Sequence, residues 1–381
     1  MVTCVLSIGT AVPPTRLEQQ QVRDLFVAQP DTSRLARRLI GAAFDASGIE
    51  SRHTVLAEFS GGVPDTPSGI PVIDADGRLL SPSTGARNAE YVRQAPPLFA
   101  EAARAALRGA EVAVEQVTHV VTVSCTGMFA PGPDYRLVRD LGLPGSVERY
   151  HLGFVGCAAA LPGLRTAARI CAGDPTAVVL VVCGELCTLH FRVSDDPQQI
   201  VSSSVFADGA AAAVVSADPA LRGRQWLELE RFGTAITDQG ETDMAWTVGD
   251  EGFDMTLSAE VPRIIGREIR GAMAGFLGDD VVDAWAVHPG GRSVLDRVES
   301  GLHLPAATLD ASRRILREYG NMSSATILFI LREFLHGAAD AVGTPDAAAA
   351  TDAPLRIATL AFGPGLTVES ALLTRRTPER A

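Results

Sequence analysis

Three residues of this chain combine a reactive side chain with a suggestive local setting: Cys157, His288 and Asn321. Cys157 lies in GFVGCAAALPGL (153–164), behind Gly153 and Gly156 and at the head of a run of helix formers. A cysteine at a helix N-terminus meets the positive end of the helix dipole, which favours the thiolate and lowers the pKa. His288 ends the apolar stretch DAWAV and precedes Pro289, Gly290 and Gly291. Site residues of α/β proteins collect where strands end. A histidine there can donate to a developing oxyanion or, as imidazolium, hold a thiolate. Asn321, in EYGNMSSATILFIL (318–331), follows Gly320 and precedes an apolar helix. It can serve as an N-cap or as a neutral donor to an enolate. Each residue taken alone also has an ordinary structural reading, as a core cysteine, a capping histidine or a helix cap. The order Cys…His…Asn, with these contexts, is sharper than any one of them.

These groups lie far apart along the chain, so a fold must gather them. The apolar runs 118–125, 176–183 and 209–217 fit buried strands. The stretches 2–9, 226–233, 283–289, 356–362 and 366–374 also read as strands. Helical periodicity marks 16–45, 86–110, 157–172, 258–277, 291–300, 306–318 and 322–337, and the Gly/Pro/Ser/Asp-rich 60–85 reads as loop. Strands alternating with helices imply a layered α/β fold. The two halves share an element order that hints at duplication, although no residue identity shows it.

At 381 residues the chain is too long for one ordinary core, and its 46% hydrophobic and 20% charged residues are those of a soluble globular protein. A net charge of −12 argues against a nucleic-acid binder, while leaving room for a local arginine cluster that meets an anionic ligand. The six cysteines (Cys4, Cys125, Cys157, Cys171, Cys183 and Cys187) form no C-x-x-C pair and read as reduced thiols of a cytoplasmic protein. The N-terminus lacks the basic segment of a signal peptide, and no apolar run is long enough to span a bilayer. Cys183, Cys187 and His190 have a C-x3-C-x2-H spacing but no evident fourth ligand, so no metal is expected. Walker, dinucleotide and G-x-S-x-G motifs are missing.

The stretches PGPDYRLVRDLGL (131–143), GFVGCAAAL (153–161), FADGAAAAVV (206–215), AWAVHPGG (284–291), EYGNMSSATILFIL (318–331) and AFGPGLTVES (361–370) run across nearly the whole chain. In order and spacing the sequence resembles the bacterial type III polyketide synthases, the chalcone-synthase-like branch of the thiolase superfamily. The resemblance implies a five-layered αβαβα thiolase fold of two related halves. Residues 1–220 would carry the nucleophilic cysteine and 221–381 the histidine and asparagine, in a homodimer. It implies that Cys157 carries an acyl starter while His288 and Asn321 hold malonyl-CoA and promote its decarboxylation. Phe206 stands at one gatekeeper position and Met255 at the second, usually phenylalanine. Cys125, Cys187, His190, Pro364 and Gly365 fall at positions lining the cavity or its scaffold loop. Ala130 stands where many members carry a methionine that reaches into the partner subunit. Arg52 is the expected CoA phosphate ligand, with Arg34, Arg37 and Arg38 as looser candidates. Gly290, Gly291 and Ser293 are expected along the pantetheine arm. No cofactor is implied beyond the CoA thioesters themselves, malonyl-CoA and an acyl-CoA starter. The segments LCTLHFR and 83–99 are similar to those of alkylresorcinol and alkylpyrone synthases, which take fatty acyl starters. A malonyl-only synthase of a small aromatic, or a single-condensation enzyme like the ketoacyl-carrier-protein synthases, is the alternative.

Overall fold

A computed structural model of the chain describes residues 2–60, 68–336 and 353–378. Its strands are β1 (Cys4–Ala11), β2 (Thr15–Glu18), β3 (Ser51–Thr54), β4 (His119–Ser124), β5 (Glu148–Gly153), β6 (Val178–Leu186), β7 (Asp208–Ser216), β8 (Trp226–Ile236), β9 (Met244–Gly249), β10 (Gly252–Leu257), β11 (Ala284–Val287), β12 (Leu355–Gly363) and β13 (Thr367–Arg376). Its α-helices are α1 (Gln19–Val27), α2 (Arg34–Ala46), α3 (Thr84–Gly109), α4 (Pro133–Leu141), α5 (Ala160–Gly173), α6 (Pro197–Val205), α7 (Val261–Leu277), α8 (Arg292–Leu302), α9 (Asp310–Tyr319) and α10 (Thr326–His336).

The main sheet runs β11-β12-β13-β8-β1-β7-β6-β4-β5. The first half supplies β1 and β4 to β7, and the second supplies β8 and β11 to β13. The halves meet where β1 pairs β8, across Cys4↔Glu228 and Val5↔Leu227. Side-chain alternation sorts each strand between two faces. On β6 and β7, Val179, Val181, Ala211 and Ala213 pack with α5 and α10, whereas Val178, Leu180, Ala210 and Ala212 face the cluster that holds α3. Helices α5 and α10 also touch the second half's strands, α5 on β13 and β8 and α10 on β11. Leu161, Leu164, Ile327 and Ile330 therefore share one core with Ala286, Ile357 and Leu373. Beyond the second half's strands, Ile265 and Ile269 of α7 and Leu295 of α8 pack in a cluster with Val287 and Leu360. The stack is helix, sheet, helix, sheet, helix. The alanine run of β7 follows from this, because a strand covered by helices on both faces needs small residues for close approach.

Several elements differ from the sequence reading. The helical segment expected over 16–45 is a short strand and two helices. Pro30 disfavours helix at the residue before it, and Ser33 restarts the chain as N-cap of α2, accepting from the Ala36 N–H. The hairpin of β9 and β10 was not anticipated, although the alternation in MAWTVGDEGFDMTL with a Gly-Asp-Glu-Gly turn carries that signal. The edge strand β5 was also missed, since its residues are mostly exposed and polar. Part of the expected loop 60–85 and the last residue of the expected helix 322–337 lie outside the described residues. Among the described residues no helix is long and apolar enough to cross a membrane.

Candidate active site

One apolar cavity of about 390 Å³ gathers most of the residues singled out in the sequence. Cys157, His288 and Asn321 all line it. So do Cys125, Phe206, Met255, Pro364, Gly290, Gly291 and Ser293.

The cysteine is set by a tight turn. Gly156 has φ +75° and begins a 3₁₀ turn, Gly156–Ala158, that leads into α5. A β-carbon at Gly156 would lie 2.3 Å from Cδ of Pro364, so the scaffold loop of the second half packs directly on this turn. The Gly156 N–H donates to Cys125 Sγ at 3.2 Å. Asn321 is pinned through its backbone. Its N–H donates to Val205 O at 2.9 Å, and its carbonyl accepts from Ala207 N–H at 2.9 Å. Gly320 before it has φ +70°, and a β-carbon there would meet Ala207 and Arg52. The Asn321 amide is oriented too. Oδ1 accepts from the Ser323 N–H at 2.8 Å, whereas Nδ2 has only Gly290 O at 3.4 Å. A donor therefore remains available to a ligand. His288 continues from β11, its N–H bonded to Leu360 O at 2.8 Å. Its side chain is fully buried, and neither ring nitrogen has a hydrogen-bond partner among the described residues. Buried polar atoms are normally paired, so an orphaned imidazole on a cavity wall marks a place where a ligand supplies the partner.

The electrostatics bear on one expectation. The dipole argument places the Cys157 thiol below its ordinary value and allows an imidazolium at His288. In the structure desolvation dominates both. Burial pushes the Cys157 thiol up to about 11, against the side chains of Ser323 and Asn321, which lower it. Burial pulls His288 down to about 3. Cys157 lies within the 3₁₀ turn and ahead of the first residue of α5, so it sits outside the α-helix proper. Desolvation in this apolar pocket thus works against both the thiolate and the imidazolium.

Other candidates fall elsewhere. Arg52 is not a phosphate ligand. It is fully buried, donates to Ser203 O at 2.8 Å and Phe206 O at 2.7 Å, and sits over the rings of Phe44 and Phe191. Its guanidinium holds the C-terminal end of α6 at Ser203 and Phe206 and is closed to CoA. Cys187 and His190 do not line the cavity. The His190 ring donates to Thr126 O at 2.9 Å, accepts from Phe253 N–H at 3.1 Å and stacks on Phe253 at 4.2 Å. Both of its nitrogens are therefore engaged in seating the β9–β10 hairpin, which removes it as a metal ligand. Among the described residues no group of three His, Cys, Asp or Glu could hold a metal ion. Gly365 stays in the scaffold loop behind Pro364, its N–H bonded to Met244 O at 3.3 Å. Arg34, Arg37 and Arg38 are at the far end of α2; the α2 residues on the cavity are Ala43 and Ala46, with Ser47 just beyond.

Sequence reasoning also missed residues that the fold delivers. Trp246, Met244 and Leu257 arrive on the hairpin, and Arg263, Arg292 and Arg297 arrive on α7 and α8. Glu185 lies buried just behind the site. It accepts from Ser124 Oγ, Cys125 N–H, Thr126 Oγ1 and Ser324 Oγ, and burial raises its carboxyl to about 7. Only the hairpin residues had a local signal.

The site thus joins a candidate nucleophile to two candidate oxyanion donors on a layered α/β scaffold, and comparison with known proteins gives the class. The chain matches the chalcone and stilbene synthase N-terminal domain over residues 2–219 and the C-terminal domain over residues 229–377. A probable polyketide synthase 1 of Dictyostelium discoideum is 30% identical over 383 residues, covering 97% of this chain and 11% of that protein. The chain therefore spans about a tenth of the length of that relative. Among solved structures, the C-terminal type III polyketide synthase domain of Steely1, a type I/III hybrid from Dictyostelium, superposes with a TM-score of 0.85 at 28% identity, covering 98% of this chain and 99% of that one. PKS-I of the brown alga Ectocarpus siliculosus does so with a TM-score of 0.87 at 30% identity, covering 99% and 98%. The chain belongs to the chalcone and stilbene synthase family, and its architecture is the thiolase fold. Membership marks it as an enzyme, a transferase of the type III polyketide synthase kind.

Proposed function

We propose that the chain extends an acyl starter bound to Cys157 with malonyl-CoA, repeats the step, and closes the product to a resorcinol or pyrone. The Cys157 sulfur attacks the starter thioester. Its proton and the expelled CoA thiolate leave together as CoA thiol. Malonyl-CoA then loses CO2, and the electron pair of the broken bond becomes an enolate. The ring N–H of His288 and the Nδ2–H of Asn321 donate to the enolate oxygen. The enolate carbon attacks the acyl carbonyl and the Cys157 thiolate departs; that thiolate then attacks the longer CoA thioester, taking the chain back and releasing CoA before the next round. Every step is redox-neutral, so CoA thioesters suffice and no further cofactor is called for.

The observation that carries this reading is the buried, unpartnered imidazole of His288 on the same cavity as the Cys157 thiol and the oriented Asn321 amide. In that cavity a neutral histidine is a good donor to an oxyanion, because no charge has to be desolvated to make it. We further propose a fatty acyl-CoA starter, on the strength of apolar walls formed by Val201, Met255, Leu257, Ile265 and Val294. The reading also takes the chain as a homodimeric, cytoplasmic member of the bacterial branch. It assigns the nucleophile to a half spanning 1–220 and both donors to a half spanning 221–381.

The test is incubation of purified protein with malonyl-CoA and acyl-CoA starters from short to long, read by mass spectrometry beside Cys157→Ala. Resorcinols or pyrones that vanish in the variant support the proposal and identify the starter. Product from malonyl-CoA alone replaces the fatty-starter reading. Turnover only with a carrier-protein thioester replaces the CoA reading.

A further inference from the structure

We propose that the nucleotide end of CoA is held on one wall of the cavity mouth by Arg263 of α7 and by Arg292 and Arg297 of α8. This rests on the reading of the cavity as a CoA thioester site, and it names the cations that meet the phosphates.

All 33 basic residues of the chain are arginine. Of these, the three named line the cavity, and all three are exposed where it opens to solvent. The opposing wall, the end of α2, offers only Ala43, Ala46 and Ser47. The two walls are close, since a β-carbon at Gly48 would lie 3.2 Å from Cβ of Arg292. Of the neighbouring cations, Arg52 is enclosed and already bonded to carbonyls, and Arg313 is committed to Asp296 at 2.8 Å and Glu299 at 2.5 Å. The acids at the mouth leave the arginines largely uncommitted. Arg263 pairs with Glu260 one turn away, and Arg292 reaches Asp296 at 3.8 Å. The Arg297 guanidinium has neither an acidic partner nor a hydrogen bond among the described residues. Exposed pairs of this kind are weak, so exchanging a carboxylate for a phosphate costs little. Guanidinium groups bind phosphate oxygens two at a time. Three of them on one wall suit a ligand that carries a 3′-phosphate beside a diphosphate. The first turn of α8, which starts at Arg292, adds backbone N–H groups with partial positive charge at the same edge. A carrier protein presents the same phosphopantetheine with a single phosphodiester, which leaves the 3′-phosphate contacts unused.

The experiment titrates CoA and 3′-dephospho-CoA into wild type, Arg297→Ala, and the double variant Arg292→Ala/Arg297→Ala by calorimetry. It also measures turnover with malonyl-CoA and with malonyl-N-acetylcysteamine, which has no phosphate. The double variant is expected to bind CoA about tenfold more weakly or worse, and to lose wild type's preference for CoA over dephospho-CoA. Its KM for malonyl-CoA should rise by a similar factor at unchanged kcat, with N-acetylcysteamine turnover unaffected. Arg34→Ala/Arg38→Ala should change nothing. The proposal is overturned if the double variant binds CoA like wild type, if the phosphate-free thioester suffers equally, or if only carrier-protein thioesters lose turnover. Wild type that binds CoA in this manner but yields no product from any thioester would sink the functional reading and leave this one standing. Product formation with CoA binding indifferent to the arginines would do the reverse.

Discussion

The rear of the cavity and its mouth are built by opposite means. At the rear, Cys157, His288 and Asn321 belong to three separate segments, each fixed through its backbone: a 3₁₀ turn under Pro364, a strand end bonded to Leu360, and a bridge to Val205 and Ala207. Desolvation there disfavours charge on the thiol and on the imidazole. At the mouth, three arginines stand on helix surfaces, charged and solvated, with few partners. Precision at the rear comes from chain geometry that no side chain can readily undo. Attraction at the mouth comes from flexible charge that single substitutions can tune. The rear should therefore control rate and the mouth affinity.

The sharpest way to break this comparison is at the rear. Cys157→Ala should abolish product, a loss of at least about a thousandfold. His288→Ala and Asn321→Ala should each lower malonyl-CoA decarboxylation by about 10²–10³, read as CO2 release, with little change in KM. A large KM effect from either would move that residue from chemistry to binding.

The next effect concerns the thiol. With Cys157 raised to about 11 and no imidazolium beside it, the thiolate fraction should grow about tenfold per pH unit between 7 and 9. Inactivation of the ligand-free enzyme by iodoacetamide should follow that slope. A rate already level below pH 8 would mean that an ion pair forms in spite of burial, and the neutral description of the rear would fail.

Smaller effects test the scaffold. Gly156→Ala combines a positive φ with a clash against Pro364, and should cost about 1–3 kcal/mol in urea unfolding. Glu185 gives the smallest. Its carboxyl titrates at about 7 when folded, against 4.5 as the ordinary value. Between those pH values the folded state holds the extra proton, so this group's contribution to stability is greatest below 4.5 and falls as pH rises to 7. Glu185→Gln can still accept from Cys125 N–H and Thr126 Oγ1 while its amide donates to Ser324 Oγ. It should raise Tm by about 2–4 °C at pH 8 and by less at pH 5. An equal shift at both pH values would show that packing, and not ionisation, decides the difference.

Much of the fold was legible because its strands are continuous apolar runs and its helices keep a regular period. β6, β7 and α10 are plain in the sequence for that reason. The pieces that were not legible are those whose identity depends on neighbours. β5 is polar and exposed, so nothing local marks it as a strand until β4 lies beside it. The segment 16–45 has a helical period throughout, yet Pro30 and the cap at Ser33 divide it. Arg52 stands among the polar residues Glu50, Ser51 and His53, as a surface arginine would, and only the packed structure closes Phe44 and Phe191 over it.

The sequence by itself determined the chemical cast: a cysteine after glycines, a histidine at a strand end, an asparagine before an apolar helix, and the family whose order they follow. Those are local matters of residue type and spacing. The tertiary structure decided the direction in which the thiol and the imidazole are shifted, since desolvation depends on every wall of the cavity. It also decided which cations reach the mouth. Charge is visible in a sequence, but accessibility is a property of the packed chain, and it assigns Arg52 to the interior and Arg297 to the opening.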